Sequence, residues 1–214
     1  MDRLRKPIPV IRCSKVELVV EEKGTDKSKL SAELVDVTLD PETAHPKLVL
    51  SKDGKSVRLG DTRQNLPDSP QRFDTCVFVL GREGFTSGRH YWEVEVGDKT
   101  GWTLGVCKDS VSRKGNITII PQNGYWAVLL RDGEYKACTS PWSRLPLSVR
   151  PRAVGILLDY QAGKVSFYDA DEKSHLFTFT HTFTEKLWPY FSPYLNEGGK
   201  NAGALRIRPL PAWE

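Results

Sequence analysis

The chain has 214 residues, 39% of them hydrophobic and 27% charged, with a formal net charge of +4. A chain of that size and mix forms one domain that buries its own core without disulfides or a metal. The positive excess is mild and scattered, with Arg3-Leu4-Arg5-Lys6 and Arg113-Lys114 as its densest stretches, which argues against a nucleic-acid partner.

Residues 1–34 contain no aromatic residue and are rich in Lys, Glu, Ser and Asp. Such a composition reads as a linker or flexible N-terminal segment, with Val16 to Val20 as one short strand. The apolar stretch Ile8–Ile11 contains Pro9 and is too short for a signal peptide. No apolar run reaches membrane-spanning length, so membrane insertion is not expected. The expected compartment is the cytoplasm, with the nucleus also compatible.

From Val35 onward, short apolar runs alternate with turn residues. Lys52-Asp53-Gly54-Lys55 separates the runs Lys47–Ser51 and Ser56–Leu59, and Asp-Gly between such runs predicts a hairpin. Arg131-Asp132-Gly133-Glu134 does the same between Tyr125–Leu130 and Tyr135–Thr139. Gln161-Ala162-Gly163-Lys164 divides Val154–Tyr160 from Val165–Tyr168. In His90–Val96, Trp92, Val94 and Val96 share one face, and Tyr91, Glu93 and Glu95 the other, the pattern of a half-buried strand. Trp102, Leu104 and Val106 form the next inward set, with Trp126 inward on the strand after it. Val154–Leu158 is apolar on both faces, as in a central strand. No window of about 12 residues shows helical periodicity. The pattern predicts an all-β sandwich or barrel.

The signatures of catalysis are missing. His45, His90, His175 and His181 lie in separate segments without metal-ligand spacing. Cys13, Cys76, Cys107 and Cys138 are widely spaced, which suits reduced thiols rather than a zinc site. Gly84–Gly88 is not a nucleophile elbow, since Ser87 directly precedes Gly88 and a strand follows. Asp40, Glu93, Glu95 and Asp159 have no spacing that pairs them. Glu197-Gly198-Gly199-Lys200-Asn201 reads as a plain loop in preference to an anion nest. Asn116-Ile117-Thr118 is a glycosylation sequon, relevant only to a secreted chain. No enzyme activity, cofactor or metal is expected. Trp142 stands apart from the other tryptophans: the turn-rich segment Thr139–Arg144 makes it either a partner anchor or a lid over the sheet edge.

Several motifs occur in a fixed order. They begin with Leu39-Asp40-Pro41, Leu66-Pro67-Asp68 with Arg72-Phe73, and Val79-Leu80-Gly81. Phe85-Thr86-Ser87-Gly88-Arg89-His90-Tyr91-Trp92-Glu93-Val94 follows, then Leu104-Gly105-Val106-Cys107 and Arg113-Lys114-Gly115. Gly124-Tyr125-Trp126, Leu158-Asp159-Tyr160, Ser166-Phe167-Tyr168 and Pro189-Tyr190-Phe191 complete the set. This order resembles the PRY-SPRY (B30.2) domain of tripartite-motif and butyrophilin proteins. The resemblance covers 35–209, with PRY at about 35–85 and SPRY at 86–209, and leaves 210–214 as a tail. It implies a bent antiparallel β-sandwich of the concanavalin-like jelly-roll kind, with a shallow pocket built from loops at one end.

Within that resemblance, the chain is expected to be a protein- or peptide-binding module. Its role would be to recruit substrates to a RING ubiquitin ligase carried elsewhere in a tripartite-motif protein, a family with roles in innate immunity. Self-association would run mainly through an upstream coiled coil. The antibody-binding member of the family uses two Trp where this chain has Leu129 and Arg131. It uses an Asp where this chain has Thr103, and Phe-Asn where this chain has Leu195-Asn196. Only Asn196 is retained, which argues against antibody Fc as a partner. Phosphoantigen-sensing butyrophilins place a His at the Thr103 position, and here it is absent. The expected site residues are Phe73, Thr103, Arg113, Lys114, Gly115, Asn116, Leu129, Arg131, Lys136, Trp142, Leu195 and Asn196. The alternatives are a basic pocket for a small phosphorylated anion and an element of self-association.

Overall fold

The computed structural model describes residues 14–21 and 27–210. In chain order the strands are β1 (Ser14–Glu21), β2 (Lys27–Leu34), β3 (Leu48–Leu50), β4 (Ser56–Leu59), β5 (Val79–Leu80), β6 (Arg89–Glu95), β7 (Trp102–Lys108) and β8 (Tyr125–Arg131). Then come β9 (Glu134–Ala137), β10 (Ser143–Arg144), β11 (Ala153–Asp159), β12 (Lys164–Asp169), β13 (His175–Thr180), β14 (Leu187–Ser192) and β15 (Leu205–Ile207). Helical structure among the described residues is limited to one 3-10 turn, Pro121–Asn123.

The predicted hairpins form where the Asp-Gly and Ala-Gly turns require them. Gly54, Gly133 and Gly163 all take positive φ, as does Asp132 at φ 52°, the conformation that a tight two-residue turn needs. The strands assort into two sheets. The larger runs β13-β12-β11-β6-β15-β4-β3, with β2 and β1 added beside β6, and the smaller runs β10-β9-β8-β7-β14-β5. All pairings are antiparallel except β2 with β6. The expected antiparallel sandwich is therefore present, with one parallel contact.

Period-two alternation fills the space between the sheets. Trp92 and Val94 of β6 and Val154, Ile156 and Leu158 of β11 meet Trp102, Leu104 and Val106 of β7 and Trp126, Val128 and Leu130 of β8. The three tryptophans expected to face inward do so. Each such side chain contributes about 1.5–3 kcal/mol by leaving water.

A second apolar cluster lies on the outer face of the smaller sheet. Tyr125, Leu129 and Tyr190 from the strands are roofed by Phe73, Phe78, Val111 and Ile119 from the connecting loops. Cys107 and Cys138 lie in it, and burial pushes both thiols up to about 12. Trp188 is half-buried. It packs on this outer cluster and donates Nε1–H to the Asp109 carboxylate at 2.8 Å.

The largest departure from expectation is at the N-terminus. Residues 14–21 and 27–34 were expected to belong to a linker, yet they form an antiparallel hairpin paired from Ser14 with Leu34 to Glu21 with Lys27. The expected strand at Val16 to Val20 lies within β1, but it has a partner and a seat. β2 joins the edge of β6 at Leu34↔Tyr91, opposite the end that β15 occupies at Ile207↔Val94. Val16, Leu18, Leu30 and Ala32 of the hairpin then cover Tyr91, Leu157 and Tyr168 on the outer face of the large sheet. This explains why β11 is apolar on both faces. It also corrects the reading of Tyr91 as solvent-facing, since only 5% of it is exposed.

Candidate functional site

The site forms on the outer face of the smaller sheet, where its loop roof ends. β7, β8 and β14 present Thr103, Leu129 and Ser192 in one row, since Thr103 pairs with Leu129 on one side and with Ser192 on the other. Arg131 lies two residues beyond Leu129 and so faces the same way. The loops over this row leave a cavity of about 400 Å³. Arg131, Thr103, Ser192 and Tyr194 line it from the sheet side, and Trp142, Phe78, Ile119 and Leu195 are among the residues that wall it.

Among the described residues, Arg131 is the only charged one lining this cavity. Its guanidinium lies over the Trp142 ring at 5.1 Å and over the Tyr194 ring at 4.5 Å. Cation–π contacts of this kind hold a planar cation in one plane at a gain of about 0.5–2 kcal/mol each. Trp142 is itself fixed, because its Nε1–H donates to the Ile119 carbonyl at 3.0 Å. It packs against the second cluster, as a lid would, and also lines the cavity.

Tyr194 has φ 59°, a left-handed conformation that costs a non-glycine residue about 1–3 kcal/mol. Its ring lies across Gly101, where a Cβ would come within 2.3 Å of Tyr194 Cδ1. Asn201 holds this arrangement together. Its buried carboxamide donates to the carbonyls of Gly101, Pro193 and Leu195 and accepts from the amides of Thr100 and Gly101. Five bonds to one side chain tie the 193–201 loop to the start of β7.

The structure sorts the expected site residues into three groups. Thr103, Arg131, Trp142 and Leu195 line the cavity, and Leu195 remains 53% exposed. Phe73 and Leu129 do not. They are 0% and 1% exposed, Phe73 within the loop roof and Leu129 beneath it. The family resemblance that pointed to Leu129 gave no sign that loops would roof it.

The third group is used for internal bonding. Arg113 stacks on Phe73 at 5.1 Å and donates to the Gln71 carbonyl at 3.0 Å. Lys114 Nζ bonds the Asp68 carboxylate and the carbonyls of Ser69 and Arg72. The Gly115 amide donates to Asp74 Oδ1 at 2.9 Å, and this bond is the leading reason the Asp74 carboxyl sits below the usual carboxylate range. Asn116 is exposed outside the cavity. Lys136 pairs with Glu134 at 3.3 Å. Asn196 accepts from the Gly199 amide at 2.9 Å within its own loop, which closes the turn considered as an anion nest. The positive rim therefore reduces to Arg131 at the cavity itself.

Sequence reasoning missed Tyr194, Ser192, Phe78 and Asn201. Tyr194 carried a signal, as an aromatic directly before the expected Leu195. Asn201 carried none, because its five partners lie in two segments about 100 residues apart in sequence. The carboxylates at Glu93 and Glu95 do come together, on the outer face of the large sheet. There they share Arg208 at 3.3 and 3.4 Å, a surface ion-pair network. Among the described residues no group of three or more His, Cys, Asp or Glu could hold a metal ion. No helix among them is long and apolar enough to cross a membrane.

Comparison with known proteins agrees with this architecture. Residues 37–85 match the SPRY-associated domain, PRY, and residues 89–204 match the SPRY domain. The chain is 53% identical over 207 residues to human erythroid membrane-associated protein, covering 96% of this chain and 43% of that protein. It is 56% identical over 178 residues to human zinc finger protein RFP, covering 82% of this chain and 34% of that one. Human pyrin is 52% identical over 181 residues, with 84% of this chain and 23% of pyrin covered. The chain thus spans less than half the length of these relatives. Among solved structures, the TRIM65 PSpry domain superposes with a TM-score of 0.70 at 27% identity, covering 82% of this chain and 90% of that one. The chain belongs to the PRY-SPRY (B30.2) family, whose domain is a protein-interaction module of tripartite-motif-like proteins.

Proposed function

We propose that this PRY-SPRY chain captures a protein or peptide partner in the cavity around Arg131 and Trp142, and that within a longer tripartite-motif-type protein this capture selects substrates for ubiquitylation by a RING. One observation carries the reading: a 400 Å³ recess with a fixed Trp, an exposed Leu195 and a single stacked arginine, set on a rigid sheet and walled by loops. Aromatic and arginine anchors in such recesses supply most of the energy at protein interfaces. The relatives add support, since zinc finger protein RFP carries a region like this one within a longer chain. The cytoplasm is the proposed compartment, a reducing setting that suits the unpaired thiols of Cys76, Cys107 and Cys138.

The test is a double substitution. Trp142→Ala with Arg131→Glu is expected to leave a cooperative thermal transition and to abolish capture of partners found by proximity labelling with the parent chain, checked with each purified partner. Fusion of the parent chain to a RING is expected to ubiquitylate those partners, and fusion of the double variant is not. Equal capture by parent and variant refutes this site.

A further inference from the structure

The Arg131 guanidinium sits in this cavity with hydrogen-bonding capacity that the fold does not use. Two aromatic rings meet it, and a ring offers no lone-pair acceptor to the in-plane N–H groups. Nε is buried and has no hydrogen-bond partner among the described residues. No ion pair among the described residues includes Arg131.

Asp132, next in the chain, is exposed and lies outside the residues lining the cavity. Glu134, the cross-strand neighbour of Arg131, pairs with Lys136. Glu197 accepts from the Thr100 hydroxyl, and Asp74 from Gly115 and Thr75. A buried charged donor without an acceptor is costly to keep. A rigidly stacked guanidinium presents a planar edge that matches a carboxylate with two parallel bonds. The walls around that edge are apolar, with Phe78, Ile119, Trp142 and Leu195, and the hydroxyls of Thr103 and Ser192 lie on the sheet side.

We propose that Arg131 reads a carboxylate on the partner, so that the cavity recognises a peptide segment in which an acidic group, an Asp or Glu side chain or a C-terminal carboxylate, adjoins an apolar residue. This rests on the reading of the cavity as a peptide site. Charge complementarity selects the occupant, since the described residues that line the cavity include one positive group and no negative one.

The test uses the 214-residue chain and two randomised octapeptide libraries, one amidated at its C-terminus and one with a free C-terminal carboxylate. Selection is expected to enrich Asp or Glu beside Leu, Ile, Phe or Trp in the amidated library, or an apolar residue before the terminal carboxylate in the other. Either result supports the proposal and identifies the source of the acid. For an enriched peptide, Arg131→Gln is expected to raise Kd about 10- to 100-fold, the span of a charge-assisted hydrogen-bond pair. Arg131→Lys, which keeps the charge but loses the fork, is expected to fall between. Replacing the peptide's acid by its amide is expected to weaken binding to the parent and to leave Arg131→Gln nearly unaffected, which does not depend on how either variant folds.

Absence of acidic enrichment, or equal binding of the acidic peptide by Arg131→Gln, overturns the proposal. Phosphoserine strongly preferred over Glu, or inorganic pyrophosphate bound at micromolar concentration with no peptide selected, overturns it as well. If the selected peptides are neutral yet lost on Trp142→Ala, the cavity remains a peptide site and only the carboxylate assignment falls. If no peptide responds to Trp142→Ala, both readings fall.

Discussion

Leu157→Ala measures whether the N-terminal hairpin is part of the domain. Leu157 lies on the outer face of the large sheet and is 3% exposed only because Val16, Leu18, Leu30 and Ala32 cover it alongside Tyr91 and Tyr168. Truncating a buried Leu to Ala costs about 2–5 kcal/mol, and the low end applies where the cover is one hairpin free to settle into the gap. Truncating a solvent-facing Leu costs about 0.5 kcal/mol or less. A loss of about 2 kcal/mol lowers the melting temperature of a domain this size by about 4–8 °C. The assay is calorimetry on four chains: the parent, Leu157→Ala, a chain beginning at Val35, and that shorter chain with Leu157→Ala. The substitution is expected to cost about 2 kcal/mol in the full chain and about 0.5 kcal/mol or less in the shorter one, a coupling that reports the contact itself. Equal small costs in both backgrounds would show that the hairpin does not sit on Leu157, and the reasoning would fail.

Other substitutions probe the supports of the site. Asn201→Leu removes five hydrogen bonds at once and strands buried backbone groups, so denaturant titration is expected to show a loss of about 3 kcal/mol or more, together with weaker partner binding through a displaced Tyr194. Gly101→Ala forces the Tyr194 ring off its seat, and is expected to weaken binding more than it lowers stability when the two are measured side by side. Lys99 is buried with Nζ donating to the carbonyls of Asn201 and Gly203, and burial lowers its pKa from 10.5 to about 8. Between those values the unfolded chain binds the extra proton, so this residue's contribution to stability rises with pH. Relative to Lys99→Met, the parent is expected to gain about 1–2 kcal/mol from pH 7.5 to 9.5 in pH-resolved melts. Cys76 lines the cavity, whereas Cys107 and Cys138 are buried. Mass spectrometry after iodoacetamide treatment is expected to show Cys76 modified before either of them, and protected by a bound peptide.

Much of the fold was legible because its signals are local. Alternation in β6 and β7 identified their inward faces, and the Asp-Gly turns at Gly54 and Gly133 marked the β3–β4 and β8–β9 hairpins. The N-terminal hairpin carried the same kind of signal: Val16 and Leu18 alternate with Lys15 and Glu17, and Leu30 and Ala32 with Ser31 and Glu33. Its Lys- and Glu-rich composition outweighed that pattern, because a strand with only one apolar face reads as polar when averaged. The outward Tyr91, Leu157 and Tyr168 were the complementary sign that something covers them.

For the site, residue type was informative and accessibility was not. The family resemblance pointed to Thr103, Arg131 and Leu195, and the turn-rich segment to Trp142, and all four line one cavity. Phe73 and Leu129 are buried outside the cavity lining, Phe73 within the loop roof and Leu129 beneath it, because a roof over an outward face depends on loops distant in sequence. Arg113, Lys114 and Lys136 are used for internal bonding, which a count of charges does not register: Arg113 bonds the Gln71 carbonyl, and Lys114 and Lys136 pair with carboxylates. The distinction bears on how such a site changes specificity. Arg131, Thr103 and Ser192 project from paired strands, so their positions are set by ladder bonds and by the core beneath. Trp142, Leu195 and Ile119 come from loops, which tolerate substitution and change of length more readily than strands do. On the proposed reading, the strand-borne group would fix the chemistry of the contact, a cation at a constant place, while the loops would set the shape around it. Exchanging the 139–145 and 193–197 loops for those of a relative is thus expected to change which peptides are selected while the acidic position and its dependence on Arg131 persist. Loss of the acidic preference on loop exchange alone would locate the determinant in the loops.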